Sequence, residues 1–258
     1  MDIESVLVTG ANRGIGLEFV KQLINLSKPP RLLFATYRDS NAKEALETIR
    51  DSTQQTQILL IQLDVTKAKE IEDARKIVED VVGDKGLDLL INNAGALKFE
   101  GFPEITEDNM LLHFSTNTVG PVMVLKELFP LLKKSAVRKT TETTVSRTIV
   151  INLSSIDGSI GSLSLENPDG WLHAFGYKTS KAALNMAMRV VALTVKDSGV
   201  LIVNLCPGWV KTDMGNMGTN EAELEVGESV TAIMKTLSQL NESHHGTFID
   251  RNGNTIVF

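Results

Sequence analysis

What most constrains this chain is a regular alternation of short apolar runs with longer segments of helical period. The runs are Ser5-Val6-Leu7-Val8-Thr9 and residues 32–35, 58–63, 87–91, 148–153 and 200–205. Between them, helix-period segments cover residues 42–51, 67–82, 106–135 and 177–198, and an amphipathic stretch with Phe19, Val20, Leu23 and Ile24 on one face follows the first run. Strands that are apolar on both faces and separated by amphipathic helices imply a mostly parallel sheet covered on each side. The expected fold is α/β, a doubly wound, Rossmann-type sheet with helices on both faces. With 258 residues, 42% of them hydrophobic, the chain has the means for one large core, and a single domain over residues 1–258 is the expectation. Residues 134–147 are polar and aperiodic and read as an exposed loop, while residues 157–176 form a second long connection.

In such sheets ligands bind outside the carboxyl ends of the strands, so the chemistry is sought there. The first run leads through Gly10-Ala11-Asn12-Arg13-Gly14-Ile15-Gly16 into a helix. Glycines in a strand-to-helix turn let the backbone approach a pyrophosphate, whose charge meets the unpaired N–H groups of the helix start. The spacing GxxxGxG departs from the commoner GxGxxG, and the same residues also fit an ordinary tight turn. Farther on, Tyr177 and Lys181 stand four residues apart at the start of a helical run, which stacks them on one face. A nearby fixed cation favours a phenolate, so Tyr177 is a candidate acid/base near neutral pH. Alone, the pair reads as two residues on a solvated helix face.

Composition removes several classes of partner. A formal net charge of -6 argues against nucleic acid and anionic membranes, and no run reaches the length of a membrane span. The one cysteine, Cys206, excludes an internal disulfide and fits a reducing compartment; with no targeting stretch ahead of the first strand, the expected location is the cytosol. The four histidines, His113, His173, His244 and His245, lack metal-ligand spacing and read as incidental.

The set Thr9-Gly10-x3-Gly14-x-Gly16, Asn92-Asn93-Ala94-Gly95, Asn117, Ser154-Ser155, Tyr177-x3-Lys181 and Pro207-Gly208, in this order over essentially the whole chain, resembles the short-chain dehydrogenases/reductases. Within that family the long connection before Tyr177 and the run from Cys206 to Thr212 look most like the sniffer-type and C-factor-type carbonyl reductases. The resemblance implies hydride transfer between a nicotinamide and a carbonyl or alcohol. It makes Tyr177 the acid/base, has Lys181 lower the pKa of Tyr177 and bind the nicotinamide ribose, and has Ser155 hold the carbonyl oxygen. Asn117 would organise a proton-relay water, though a buried amide satisfying backbone groups fits the same position. Cofactor binding falls to Gly10, Asn12, Arg13, Gly14, Ile15, Gly16, Arg38, Asp64, Val65, Asn93, Ala94, Gly95, Tyr177, Lys181, Pro207, Gly208, Val210 and Thr212. For Asp64 an ordinary helix N-terminal acid is the competing reading.

Charge argues the choice of cofactor. NAD-selective sites place a carboxylate at the end of the second strand, where this chain has Tyr37 followed by Arg38. Arg13 and Arg38 suit a 2′-phosphate, which makes NADP(H) the expected cofactor, although Arg38 also fits a solvated loop. Leu97, Phe99, Ile156, Trp171, Trp209, Met214 and Met217 fall on loops that should rim the cleft and suit a small apolar carbonyl substrate, or else core and lid packing. The expected function is NADPH-dependent reduction of small aldehydes, ketones or quinones. The alternatives are an alcohol or steroid dehydrogenase, and a cofactor-binding regulatory or signalling protein that needs no turnover. Excess apolar surface on the helix from Tyr177, with Ala182, Ala183, Met186, Ala187, Val190, Val191 and Leu193, points to a homodimer unless the 157–176 connection covers it.

Overall fold

The computed structural model describes residues 2–141, 147–164, 171–217 and 222–258. Among them, strands β1 (Ser5–Val8), β2 (Leu32–Tyr37), β3 (Gln57–Gln62), β4 (Leu89–Asn92), β5 (Thr148–Leu153), β6 (Val200–Cys206) and β7 (Phe248–Asp250) form one parallel sheet in the order β3-β2-β1-β4-β5-β6-β7. β1, β4, β5 and β6 are buried along their whole length, which is why they read as continuous apolar runs rather than alternating ones.

Each face of the sheet carries its own core. On one face, α1 (Gly14–Ile24) and α7 (Val226–Leu237) pack Phe19, Val20, Leu23, Val230, Ile233 and Leu237 against Val8, Ile91, Ile151 and Val203, and Leu46 of α2 (Glu44–Ser52) joins them. On the other, Ile71 and Val78 of α3 (Ala68–Val82), Leu125, Leu128 and Leu132 of α5 (Gly120–Thr141) and Leu184 and Met188 of α6 (Phe175–Thr194) cover Leu7, Leu90, Val150 and Ile202. At about 1.5–3 kcal/mol per fully buried large apolar side chain, these two cores dominate the favourable side of folding.

Several elements depart from the sequence expectation. The segment 106–135 is not one helix: α4 (Glu107–His113) passes through a π-helical turn at Phe114–Val119 into α5. The expected loop at 134–147 is helical as far as Thr141, and residues 142–146 lie outside the described ones. The reason is tertiary. Asp88, fully buried at the start of β4, accepts from Ser135 and Arg138 (2.9 Å), lies 3.5 Å from Lys139, and accepts from the Glu4 backbone N–H at 2.7 Å. A buried carboxylate needs such partners, and they hold the last turns of α5 where local periodicity gives no signal. The short β7 and α7, not among the expected elements, close the far edge; α7 carries a capping box from Glu225 and Glu228 and buries Val230, Ile233, Met234 and Leu237 at helical spacing. Finally, α6 starts at Phe175 and gives way at Lys196–Ser198 to a 3₁₀ turn.

The carboxyl ends of the central strands are joined by side chains. Asn92 on β4, Asn152 on β5 and Asn204 on β6 lie in register and fully buried. Asn92 Nδ2 donates to Asn152 Oδ1 (2.9 Å), Asn152 Nδ2 to Asn204 Oδ1 (3.1 Å), and Asn204 Nδ2 to the carbonyl of Asn185 on α6 (3.2 Å). Asn185 Nδ2 then donates to the Gly158 carbonyl at 3.1 Å. The ladder ties three strands, α6 and the turn after β5 together. Truncating Asn152 orphans a donor on one side and an acceptor on the other, at about 1–3 kcal/mol each. Asn152→Ala is expected to lower stability by roughly 2–4 kcal/mol in urea unfolding, more than an equivalent truncation at an exposed asparagine.

Candidate active site

β1 and β4 are the strands where the sheet order turns, and the glycine turn leaves β1 at that crevice. Gly10 (φ 61°) and Gly14 (φ 52°) are left-handed, a conformation that favours glycine. At Gly16 a Cβ would lie 2.3 Å from the Gly10 carbonyl oxygen and 2.5 Å from Asn93 Nδ2, so the turn closes on itself only without a side chain. Arg13 caps α1 with no side-chain hydrogen bond and the first helical turn holds no acidic residue, which leaves the helix start open to an anion. Asn12 and Ile15 lie half-buried in this turn, Ile15 against the core.

The other positions expected at a cofactor converge on the same edge. Asn93 is occupied with structure: its Nδ2 donates to the Thr9 and Gly10 carbonyls (2.8 and 3.0 Å), and the N–H groups of Asn93 and Ala94 both donate to Thr9 Oγ1. This holds the Ala94-Gly95 backbone against Gly10, where a Cβ would come within 3.1 Å of Ala94 Cα. Asp64 Oδ1 accepts from the Thr66 N–H and hydroxyl, and Val65 packs under Gly120. After β6, Pro207, Gly208 (φ 85°), buried Val210 and Thr212 return toward the glycine turn, with Thr212 beside Gly14 and an exposed Arg13–Asp213 pair at 3.0 Å across the gap. Arg38 is exposed beyond the end of β2, and Asp39 accepts from the Asn41 N–H in its own turn.

Ser155, Tyr177 and Lys181 come together because the 3₁₀ turn Ile156–Gly158 packs on the first turns of α6, so closely that a Cβ on Gly158 would meet the Lys181 backbone at 2.7 Å. The Ser155 hydroxyl faces that of Tyr177. Lys181 Nζ lies 5.6 Å from the Tyr177 ring centroid and donates to the Leu153 carbonyl at 2.6 Å. Asn117, turned inward by the π-helical turn, donates to the Ala96 carbonyl (2.9 Å) and Ser180 Oγ (3.0 Å) and accepts from the Ala96 N–H (2.8 Å). Gly95 faces Asn117 and Lys181, where a Cβ would lie 3.4 Å and 4.0 Å from their polar atoms.

The electrostatics differ from simple activation by a cation. Burial, reinforced by the Asp157 carboxylate and opposed by Ser155, pushes the Tyr177 phenol well above its ordinary value. Burial likewise lowers the Lys181 ammonium to about 8. In the protein alone, Tyr177 therefore stands as an acid holding its proton.

Three features escape a reading of the sequence. His113, taken as incidental, is fully buried edge-on to Tyr177 at 6.3 Å between ring centroids, accepts from the Lys98 N–H (3.0 Å), and is kept toward its neutral form by burial. The asparagine ladder is the second, and the ion pair of Asp157 with Lys178 beside the serine is the third. Among the apolar candidates, Phe99 stacks edge-on with Trp171 (5.3 Å) and Trp171 with Trp209 (5.6 Å), joining the loops after β4, before α6 and after β6. Leu97 is buried, whereas Ile156 and Met217 are exposed and Met214 is half-buried.

Comparison with known proteins agrees with this geometry. A family model described as short chain dehydrogenase matches residues 4–223. The NADPH-bound carbonyl reductase from chicken fatty liver is 37% identical with a TM-score of 0.89, and the carbonyl reductase Sniffer of D. melanogaster 36% identical with a TM-score of 0.90; in both, the alignment covers 100% of each chain. The protein named C-signal from Myxococcus xanthus is 33% identical over 66% of this chain and 92% of its own.

The depressed lysine gives a test with a definite sign. A lysine that titrates near 8 when folded and 10.5 when unfolded costs stability while charged, and that cost disappears as pH rises through this window. Relative to Lys181→Met, the wild-type chain is expected to gain thermal stability between those two pH values. Paired melting curves across that range check it.

Proposed function

This chain belongs to the short-chain dehydrogenase/reductase family, and from that premise we propose that it is an NADPH-dependent carbonyl reductase acting on small apolar aldehydes, ketones or quinones. The observation that carries the reading is the meeting of Ser155, Tyr177 and Lys181 at the strand ends beside an uncapped, glycine-lined helix start. The glycine cradle, the open N-terminus of α1 and the close Ala94-Gly95 backbone fit a dinucleotide. NADPH would supply the hydride. Ser155 Oγ and Tyr177 Oη would both donate to the carbonyl oxygen, and Tyr177 would deliver the proton as the oxygen takes up negative charge. A phenol held above its ordinary pKa suits that direction. Lys181, with donors beyond its bond to Leu153, would hold the ribose, and Asn117 would organise the relay water beside it.

Preference for NADPH rests on Arg13 and Arg38. Arg13 is held by an exposed ion pair worth about 0–1 kcal/mol, so little is lost in releasing it to a phosphate. The NADPH-bound avian reductase supports the same reading. Asp64, Val65, Pro207, Gly208, Val210 and Thr212 would border the adenine and carboxamide ends. The aromatic contacts of Phe99, Trp171 and Trp209 give the substrate side an apolar wall. The similarity to C-signal keeps a signalling role as the competing reading, and a cofactor-binding protein of that kind needs no turnover. A cytosolic location fits the lone buried cysteine.

Tyr177→Phe is expected to lower turnover of a carbonyl panel by about 10²–10⁴ while leaving NADPH affinity within a few-fold. Retained turnover would remove Tyr177 as the acid, and an inactive wild-type enzyme would favour the regulatory reading. Arg38→Ala should weaken NADPH by tenfold or more, from loss of roughly 1.5–3 kcal/mol, with NADH nearly unaffected. Equal losses in a fluorescence titration of both cofactors would make Arg38 structural.

We also propose a homodimer across α4 and α6. Met186, Val190 and Leu193 form an exposed stripe on α6, with Leu111, Leu112 and Val119 beside it. Beyond Asp157 and Gly158, which sit on the first turns of α6, the described parts of the 157–176 connection pack elsewhere: Ser159 and Gly161 bond the C-terminal segment at Val257 and Phe258, and Trp171 and His173 stack on Phe99. Light scattering should give twice the chain mass, and Val190→Glu should give the monomer.

A further inference from the structure

His113 is a fully buried, titratable side chain that the proposed chemistry does not use. Its two ring nitrogens have one consistent assignment. Nδ1 lies 2.8 Å from the Asn109 carbonyl oxygen, which can only accept, so Nδ1 carries the proton; Nε2 then accepts from the Lys98 backbone N–H at 3.0 Å. Asn109 completes the grip, its Nδ2 donating to the Lys98 carbonyl at 3.2 Å. Both backbone groups of Lys98 are thus held by side chains of α4. A second ring proton would set donor against donor at Lys98, and burial keeps the imidazole neutral.

The same two side chains meet the helix that bears Tyr177. A Cβ on Gly176 would lie 2.4 Å from Asn109 Oδ1 and 2.6 Å from His113 Nδ1, so α4 presses onto α6 at the residue before Tyr177, and the His113 ring stands edge-on to the phenol. Beyond Lys98, Glu100 bridges to Ala174 just ahead of α6, and the Phe99 ring meets Trp171, which in turn meets Trp209. Trp171 holds this place with φ 52°, a left-handed conformation uncommon outside glycine that persists where packing fixes it. We propose that His113, in its Nδ1–H tautomer, is a positioning residue: it fixes Lys98 and thereby holds Phe99, and the Trp171–Trp209 wall behind it, at a set distance from Tyr177. It governs how a carbonyl substrate is held without touching it. The inference rests on the reductase reading above and adds to it a residue outside the sequence motifs.

Trp171 and Trp209 are the only two tryptophans of the chain, so intrinsic fluorescence reports on the wall itself, whether or not a carbonyl is turned over. His113→Phe keeps a flat ring with neither donor nor acceptor, whereas His113→Gln keeps one of each. The first variant should show red-shifted tryptophan emission and a KM for carbonyls raised about tenfold by the unpaired Lys98 N–H, with kcat and NADPH affinity within a few-fold of the wild type. His113→Gln should restore the emission and most of the KM. Unchanged emission and KM in His113→Phe overturn the proposal. So do equal losses of kcat, KM and cofactor affinity that His113→Gln fails to rescue, which mark a residue needed for folding alone. Shifted emission that His113→Gln restores, in a protein that reduces no carbonyl, would uphold the positioning role and reject the reductase reading instead.

Discussion

The ladder of buried amides from Asn92 through Asn152 and Asn204 to Asn185 fixes how the functional edge of this protein is aligned. Hydrophobic burial drives the sheet and its helices together, but it is non-directional and would tolerate a helix displaced along its axis. Amides are not so tolerant. Each net hydrogen bond contributes only about 1 kcal/mol, yet one left unmade in the interior costs up to about 3, so a displaced α6 is penalised at every rung. The last rung reaches the Gly158 carbonyl, which is why the turn bearing Ser155 and the helix bearing Tyr177 and Lys181 hold one relative position.

Two electrostatic tendencies meet at that position. Desolvation holds the phenol protonated and shifts the ammonium toward neutrality, in each case favouring the uncharged form. Close by, the glycine turn offers uncapped helix N–H groups without an acidic side chain to compete for them. The edge is thus organised around groups that donate hydrogen bonds. Such a place favours oxygen atoms that become negative, whether on a phosphate or on a carbonyl under hydride attack.

Much of this was legible in the sequence because apolar runs and glycine turns are local signals. Six of the strands and the glycine turn at the strand ends follow from them, and the resemblance to a known family points to the other residues there. The missed parts depend on partners distant in the chain. The last turns of α5 are held by Asp88 some fifty residues earlier, and the three-residue β7 is too short to carry a period of its own. The inward turn of Asn117 depends on a π-helical segment that a 3.6-residue pattern smooths over. The expectation that Lys181 lowers the Tyr177 pKa failed to describe the protein alone for a related reason: spacing shows proximity, whereas burial decides which charge state is favoured. Asp157 and Lys178 read as unremarkable polar residues until the 3₁₀ turn places them on one another.

The central claim is that the site is built before any cofactor arrives, with the strand-end ladder holding Ser155 and Tyr177 where they will act. A crystal structure of the NADPH complex beside that of the free protein tests it directly. The account predicts that the ladder, the Ile156–Gly158 turn and the hydroxyls of Ser155 and Tyr177 superpose in the two forms, with the nicotinamide carbon beside them and only the Lys181 ammonium redirected toward the ribose. A displaced α6, a broken Asn152 rung, or a nicotinamide lying away from the two hydroxyls would contradict it.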